Sequence, residues 1–411
     1  MAIYFKNTEL AAQYNISEGT VRNWVKSARE GKLDLELSES KGRMYVANNI
    51  SNIPVIEGLV RQNRKYRNTK AVKTITPNRA LFEVFSDAQV YDIIRNLEMH
   101  NEIPRQYGYF REGVQEWEDY IERRLAVGAP SMLTRTIELL SDNYSYLDAR
   151  LSRFDRINVV DIGVGNAAPV RGLLGHLLEQ GKLGRYVALD FSDDMLDLAE
   201  EHIQEWFNDR IEFERHQLDI AHQRFSNIFE KDYLHPEANS VNLILFLGST
   251  PNNLRVRDDA FRTIHESMNP NDLFVYTCKL APTASLPEWF EHEVKHKDLG
   301  RPEVTRQHRL VFDLLGIKES FYDFEISYDE NQKQRYARAR LRVALSIVFN
   351  LEAGKRVLTF EKGDAIILWR IWRTTQTGLM DLLDDNGFYV LHSSQSEDHN
   401  YILTIAEPHH D

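Results

Sequence analysis

The chain has 411 residues, of which 42% are hydrophobic and 27% charged, the balance of a globular protein with two or three domains. Its single cysteine, Cys278, excludes a disulfide framework and any cysteine-based zinc cluster. The first residues lack a signal-peptide core and no apolar run approaches membrane-spanning length, so we expect a cytoplasmic protein with no membrane partner.

The net charge of -12 is unevenly distributed along the chain. Residues 1–70 contain 12 Lys or Arg against 7 Asp or Glu, whereas the rest of the chain contains 38 basic and 55 acidic residues. A basic N-terminal segment attached to an acidic body raises the question of nucleic-acid binding by the first residues.

Residues 1–50 are predicted to form a small module of two helices and a hairpin. Asn7 and Ser17 are suited to cap the helices, the second of which runs from Glu18 to Arg29, and strand character follows over residues 33–46. This order resembles a winged helix-turn-helix of the excisionase or MerR-like type, in which the second helix lies in the major groove. Such modules also bind proteins, so DNA and a protein partner both stay open. The side chains that would face DNA are Thr20, Arg22, Asn23, Lys26, Lys41 and Arg43.

Residues 51–103 are predicted to be a helical linker region. A helical segment begins near Ile53 and leads into a basic run at residues 61–67. Pro77 indicates a boundary, and we expect a linker near residues 68–78. Apolar residues recur at helical spacing from Phe82 to Leu97.

The stretch from Asn158 to Ala199 predicts two buried parallel strands, each ending in an acid. The first strand ends at Asp161 and is followed by Gly163, Gly165 and a helical segment. The second strand ends at Asp190. An acid about 25–30 residues after a glycine turn is suited to bind ribose hydroxyls at the carboxyl edge of a doubly wound sheet.

Three further strands extend the predicted α/β sheet. They cover residues 211–219, 241–247 and 273–278, and an antiparallel pair at residues 388–391 and 401–406 closes it. Polar residues follow these strands, as in the crevice where open sheets bind ligands.

The glycine turn favours a nucleoside over a dinucleotide, because Ala168 replaces the third glycine of the dinucleotide fingerprint. The spacing resembles that of class I S-adenosylmethionine (SAM) methyltransferases, which have a Rossmann-like sheet. The resemblance implies SAM as cofactor, with the methionine end beside the glycines, the ribose at the second acid and the adenine at the third strand. The implied cofactor residues are Asp161, Gly163, Gly165, Asp190, Phe191, Asp219, Ile220 and Phe246.

Residues 248–254, Gly-Ser-Thr-Pro-Asn-Asn-Leu, resemble the Gly-Ser-Thr-x-Gly-Asn-Leu/Phe loop of the histidine-specific Nα-methyltransferases of ergothioneine biosynthesis. Thr134-Arg-Thr and Tyr328-Asp-Glu, the latter followed by Arg338-Ala-Arg-Leu-Arg, resemble two more segments of that family. The resemblance implies a methyltransferase domain over residues 104–411, with an inserted substrate domain at about residues 281–358.

The same resemblance implies two substrate-side residues. Asn253 falls at the asparagine that holds the substrate carboxylate, and Glu361 is the candidate for a polar or cationic substrate group. The family's tyrosine pair before Thr-Arg-Thr is replaced by Ser131-Met132, so Tyr107 and Tyr109 are candidates to supply a hydroxyl. The lysine of the family's glycine loop is Pro169 here.

The sequence therefore predicts a SAM-dependent N-methyltransferase acting on an amino acid or related small amine, histidine-like substrates included. One alternative is a DNA-binding regulator that senses SAM or a metabolite through an idle domain. Another is a methyltransferase for a macromolecule docked by residues 1–50. The spacing of the histidines predicts no metal site, and the sequence predicts no oligomeric state.

Overall fold

The computed structural model describes residues 3–14, 16–40, 43–49, 51–65, 72–127, 131–229, 239–248, 250–281, 306–329, 331 and 333–409. The helices in chain order are α1 (Asn7–Gln13), α2 (Glu18–Arg29), α3 (Asn52–Lys65), α4 (Leu81–Val84), α5 (Asp87–His100), α6 (Glu112–Val127), α7 (Met132–Asp142), α8 (Tyr144–Leu151), α9 (Arg171–Glu179), α10 (Asp193–Phe207), α11 (Thr250–Asn253), α12 (Arg257–His265), α13 (Arg306–Leu315) and α14 (Gln376–Asp385).

The strands in chain order are β1 (Ile3–Phe5), β2 (Leu37–Ser40), β3 (Arg43–Asn48), β4 (Lys73–Ile75), β5 (Arg156–Ile162), β6 (Leu183–Asp190), β7 (Phe213–Gln217), β8 (Ser240–Phe246), β9 (Leu273–Lys279), β10 (Tyr322–Asp329), β11 (Gln334–Leu341), β12 (Leu345–Leu351), β13 (Gly354–Phe360), β14 (Ala365–Trp372), β15 (Phe388–Gln395) and β16 (Tyr401–Pro408). None of the helices in the described ranges is both long and apolar enough to cross a membrane.

The chain divides into two compact units. One unit contains residues 1–104, 311–325 and 338–368, and the other contains residues 105–310, 326–337 and 369–411. Segments far along the chain thus group with the N-terminal residues, a long-range association that local patterns do not encode. Most of the predicted insertion is split between the units, and its residues 282–305 lie outside the described part of the chain.

The second unit is built on a seven-stranded sheet in the order β15-β16-β9-β8-β5-β6-β7. The five strands from β5 to β9 are parallel, and β16 runs antiparallel to both β9 and β15. All five predicted parallel strands and the predicted closing pair are confirmed. The strand order reverses between β5 and β8, which creates the switch point where such sheets bind ligands.

Alternating side chains of the parallel strands bury the sheet on both faces. Val159 of β5 packs in one apolar cluster and its neighbour Val160 in the other, and Leu243 and Ile244 of β8 divide in the same way. Successive residues of a strand point to opposite faces, so two apolar layers require continuous apolar runs. This is why the strands could be recognised in the sequence.

The N-terminal residues of the first unit form the elements that the sequence predicts. Helices α1 and α2 are followed by a hairpin, and β1 completes a three-stranded sheet in the order β1-β3-β2. The Ser17 side chain caps α2 by accepting a hydrogen bond from the backbone N–H of Thr20. Leu10 and Val21 are fully buried between the helices. Lys41 and the side chain of Arg43 lie outside the described residues.

Two predictions for residues 51–103 are corrected. Lys73–Ile75, placed in a linker, forms β4, which pairs in parallel with residues 345–347 of β12. A parallel partner some 270 residues away leaves no local signal. The helix predicted from Phe82 to Leu97 is interrupted at Phe85, because Ser86 forms a capping box with Gln89 that starts α5.

Candidate active site

A cavity of about 290 Å³ lies in the second unit, at the carboxyl ends of β5, β6 and β8. It therefore occupies the switch point of the sheet. The strand ends supply one part of its lining, and segments before the sheet and after β8 supply the rest. The lining residues are Arg105, Gln106, Tyr109, Trp117, Tyr120, Ile121, Ser131, Met132, Leu133, Thr136, Ile162, Gly163, Val164, Gly165, Asn166, Pro169, Leu189, Asp190, Phe191, Met195, Leu218, Asp219, Ile220, Leu247, Gly248, Thr250, Asn253 and Leu254.

The turn after β5 requires its two glycines. Gly163 and Gly165 have φ angles of +69° and +54°, a region that side chains disfavour. A Cβ atom at Gly165 would lie 2.7 Å from Cη2 of Trp117, and one at Gly163 would lie 3.0 Å from Oγ1 of Thr250. The bare backbone thus leaves room for neighbouring side chains and forms part of the cavity wall.

Asp190 ends β6 and lines the cavity. Its Oδ1 accepts a hydrogen bond of 2.9 Å from the backbone N–H of Ser192. Burial raises the pKa of Asp190 to about 6, although hydrogen bonds from the N–H groups of Ser192, Gly165 and Phe191 act in the opposite direction. At neutral pH the side chain is a carboxylate with acceptor capacity directed at the cavity.

Asp161 is the penultimate residue of β5 and does not line the cavity. Its side chain is buried, and Oδ2 accepts a hydrogen bond of 2.9 Å from the hydroxyl of Tyr186. Burial, together with the negative charge of Asp190, raises the pKa of Asp161 to about 7. Asp161 is therefore a buried hydrogen-bond partner of Tyr186 and not a residue of the cavity lining.

The other predicted cofactor residues divide between cavity and core. Asp219, Ile220 and Phe191 line the cavity, and Asp219 Oδ1 accepts a 3.0 Å hydrogen bond from the N–H of Ala221. Phe246 does not line it. The Phe246 ring is fully buried, with the Phe261 ring centroid 6.0 Å away, because this last residue of β8 points into the core.

Asn253 lines the cavity from the short helix α11. Its Oδ1 accepts a hydrogen bond of 3.1 Å from the indole N–H of Trp369 on β14. Trp372, on the same strand, donates from its indole N–H to the carbonyl oxygen of Leu254 at 2.8 Å. Within the described part of the chain, Asn253 Nδ2 has no hydrogen-bond partner. The two tryptophans thus hold the residues Asn253 and Leu254 in place and orient Asn253 so that its amide N–H groups are available as donors.

The Thr134-Arg-Thr segment, at the start of α7, is linked by hydrogen bonds to the loop after β8. Thr136 Oγ1 lies 3.3 Å from Thr277 Oγ1 on β9, and Thr277 Oγ1 accepts a hydrogen bond of 2.9 Å from the N–H of Gly248. Ser131, by contrast, caps α7 by accepting from the N–H of Thr134. The segment therefore connects α7 to the loop after β8.

The two tyrosine candidates differ in position. Tyr109 lines the cavity, with the guanidinium carbon of Arg105 5.1 Å from its ring centroid. Tyr107 is buried and packs edge-on against Phe191, at 5.1 Å between ring centroids.

Glu361 follows β13 in the first unit, and it is not among the residues that line the cavity. The backbone N–H of Glu361 donates to Asp364 Oδ2 at 2.9 Å, an arrangement typical of a turn between two strands. No group of three or more His, Cys, Asp or Glu that could hold a metal ion occurs in the portion of the chain that the structure describes.

A family model for histidine-specific, SAM-dependent methyltransferases matches residues 89–408. The chain belongs to this family. The predicted resemblance is therefore confirmed, as are the class I SAM-methyltransferase fold, the activity class and the cofactor. No curated protein matches the methyltransferase.

Solved structures of methyltransferases align with this methyltransferase at low identity. One, a SAM-dependent methyltransferase from Clostridium acetobutylicum ATCC 824, is 8% identical with a TM-score of 0.37, and the match covers 72% of this chain and 99% of that one. Another, 1,6-didemethyltoxoflavin-N1-methyltransferase from Burkholderia thailandensis, is 13% identical with a TM-score of 0.36, with 75% and 91% covered.

Sequence reasoning missed several cavity residues of the methyltransferase. Arg105, Trp117 and Tyr120 precede the sheet, and Trp369 reaches Asn253 from a strand 116 residues away. The one available signal was the density of aromatic residues in residues 107–120, which nothing in the sequence assigns to the cavity rather than to the core.

Proposed function

We propose that this methyltransferase transfers a methyl group to the nitrogen of an amino acid or related small amine. Asn253 carries the proposal. Its carbonyl oxygen is occupied by Trp369, so its amide presents donors to the cavity, and a carboxylate is an acceptor suited to them. An amine that also has a carboxylate is an amino acid.

The donor set of the cavity fits SAM. The Asp190 carboxylate is suited to the ribose hydroxyls, and the backbone of Gly163 and Gly165 leaves room for the methionine end. Asp219 and Ile220 are suited to the adenine, the acid to its amino group and the apolar side chain to its ring face. We infer that Phe191 packs beside the ribose and that Asp161 acts through Tyr186 and the glycine turn.

SAM supplies a methyl group that is already activated by its positively charged sulfur. The residues of the chain therefore have to hold the acceptor nitrogen in line and nearby, which can contribute several kcal/mol. The apolar lining from Ile121, Met132 and Leu133 disfavours a charged ammonium and so favours the neutral amine that can attack. The Tyr109 hydroxyl is the candidate to accept a hydrogen bond from the amine.

Histidine is one candidate acceptor, and the support for it is the family rather than the cavity. Glu361, the candidate for an imidazole contact, is not a lining residue. The proposal therefore stays with the class of α-amino acids and related amines.

The direct test incubates the protein with SAM carrying a labelled methyl group and with a panel of α-amino acids and their decarboxylated amines. We expect transfer to at least one amino acid and weaker transfer to its decarboxylated partner. Transfer to no member of the panel, under conditions where S-adenosylhomocysteine binds, would contradict the acceptor class and leave the cofactor assignment intact.

The alternative of DNA contact through residues 1–50 gains no support from the charges on α2. Arg22 is paired with Glu18 at 2.8 Å, and Lys26 lies 4.0 Å from Glu30, so acids balance two of the exposed bases. Phosphate binding by exposed bases is strongly salt-dependent. Titration of a random duplex at two salt concentrations tests this alternative, and tight salt-dependent binding would support it.

A further inference from the structure

Arg105 is the one cation among the described residues that line the cavity. Its Nη2 donates to Gln307 Oε1. Its Nε and Nη1 are buried and have no hydrogen-bond partner among the described residues, and no acid there forms an ion pair with it. A guanidinium stays charged at every physiological pH, so its unpaired buried donors are costly unless a ligand accepts from them.

Gln307 adds a second unpartnered donor beside the guanidinium. It is only 7% exposed, its Oε1 faces Arg105, and its Nε2 has no partner among the described residues. Glu116 uses its two carboxylate oxygens to accept from the backbone N–H groups of Arg306 and Gln307 rather than from the guanidinium. Arg105 and Gln307 thus contribute three buried donor nitrogens for which the described neighbours supply no acceptor.

The acids that line the cavity do not neutralise this cluster. Asp190 accepts from backbone N–H groups, and Asp219 accepts from the N–H of Ala221. The Tyr109 ring packs against the guanidinium plane at 5.1 Å, which holds it in place without using its donors. A planar fork of donors that is held by a ring, and whose Nε and Nη1 lack an acceptor among the described residues, matches a carboxylate.

We propose that Arg105, assisted by Gln307, binds the carboxylate of an α-amino acid group in the cavity. Two such groups enter a methyltransferase of this class: the methionine part of SAM and the amino-acid acceptor. The second source rests on the proposed function, whereas the first does not. Either source makes Arg105 the residue that selects for an intact amino-acid head group.

Calorimetry on the full chain tests the cofactor source. S-adenosylhomocysteine and 5′-methylthioadenosine, which lacks the amino-acid head group, are titrated into the wild type, Arg105→Gln and Arg105→Lys. Arg105→Gln keeps a donor for Gln307 and lacks the charge. Loss of a charge-assisted carboxylate contact should weaken S-adenosylhomocysteine binding about 10- to 100-fold, leave methylthioadenosine unchanged and be partly restored by Arg105→Lys. Arg224→Gln, an exposed change in the same unit, serves as the matched control.

A second titration tests the acceptor source. L-histidine, L-phenylalanine and L-tyrosine, with histamine, phenethylamine and tyramine as their decarboxylated counterparts, are titrated into the complex with S-adenosylhomocysteine. If the acceptor is the source, Arg105→Gln weakens amino-acid binding and leaves S-adenosylhomocysteine unchanged. If Arg105→Gln alters neither titration relative to Arg224→Gln, the proposal is wrong. If Arg105→Gln weakens S-adenosylhomocysteine binding but the wild type transfers a methyl group to no amine, the Arg105 site stands and the proposed acceptor class is wrong.

Discussion

The lining of the cavity consists of two groups of residues with different origins. The strand-end group, Gly163, Gly165, Asp190 and Asp219, follows three neighbouring strands in chain order. The outer group, Arg105, Tyr109 and Asn253, comes from separate segments, and Asn253 depends on a distant tryptophan for its orientation. Strand ends are held by the ladder of the sheet, whereas Arg105 and Asn253 are positioned by side-chain hydrogen bonds with Gln307 and Trp369. Cofactor binding should therefore tolerate changes at Asn253 and its partner Trp369 better than acceptor binding does.

The largest effect should follow Asp190→Ala, which removes the carboxylate at the end of β6. Two hydroxyls of the ribose would lose a charged acceptor, so we expect S-adenosylhomocysteine to bind about 100-fold more weakly by calorimetry. Glu179→Ala, which removes an exposed acid from the same unit, is the control. Unchanged affinity in a folded Asp190→Ala protein would show that the strand-end group does not hold the cofactor.

In the outer group, a comparably large loss, of acceptor binding rather than of cofactor binding, should follow Asn253→Asp. The added charge repels an acceptor carboxylate where the amide would donate to it, so we expect KM for an amino-acid acceptor to rise about 30-fold. S-adenosylhomocysteine affinity should change less than threefold. Asn271→Asp places the same charge on an exposed position of the same unit and should leave both quantities unchanged. A loss of S-adenosylhomocysteine affinity equal to the loss in KM would remove the distinction between the two groups.

A smaller effect, specific to pH, is expected from Asp161→Asn. With its pKa raised from 3.8 to about 7, the Asp161 carboxyl binds its proton more tightly in the folded than in the unfolded chain. Its contribution to stability is therefore present at low pH and is lost as pH rises through about 7. The asparagine oxygen can still accept from Tyr186, so the variant keeps this hydrogen bond. Because only the wild type loses stability as Asp161 ionises, the melting temperature of the variant relative to the wild type should rise by a few degrees between about pH 5 and 8, corresponding to about 2–3 kcal/mol. A pH-independent difference would contradict the proposed burial of a charge.

The smallest effect should follow Trp369→Phe, which keeps an aromatic ring but removes the N–H donor to Asn253. The amide can then rotate, so KM should rise about 3- to 10-fold while S-adenosylhomocysteine affinity stays constant. Trp372→Phe removes a bond to the Leu254 carbonyl rather than to the amide. Equal KM values for the two variants would mean that Trp369 does not orient Asn253.

The difference between the groups also explains what the sequence could predict. The strand-end group follows apolar runs that a buried parallel sheet requires, so Asp190, Asp219 and the glycines could be placed at one edge. Phe246 and Asp161 were assigned to the cofactor by the same logic, but whether a side chain near a strand end faces the cavity or the core depends on the turn that follows. Arg105 and Trp369 gave no signal, because their role depends on tertiary contacts between segments far apart in the chain.

The most direct test of the cofactor site is a crystal structure of the full chain with S-adenosylhomocysteine. We predict the ribose hydroxyls within hydrogen-bond distance of the Asp190 carboxylate, the adenine beside Asp219 and Ile220, and the sulfur facing the part of the cavity that Asn253 lines. An adenosine bound away from the ends of β5 and β6, with Asp190 exposed to solvent, would contradict the proposed cofactor site.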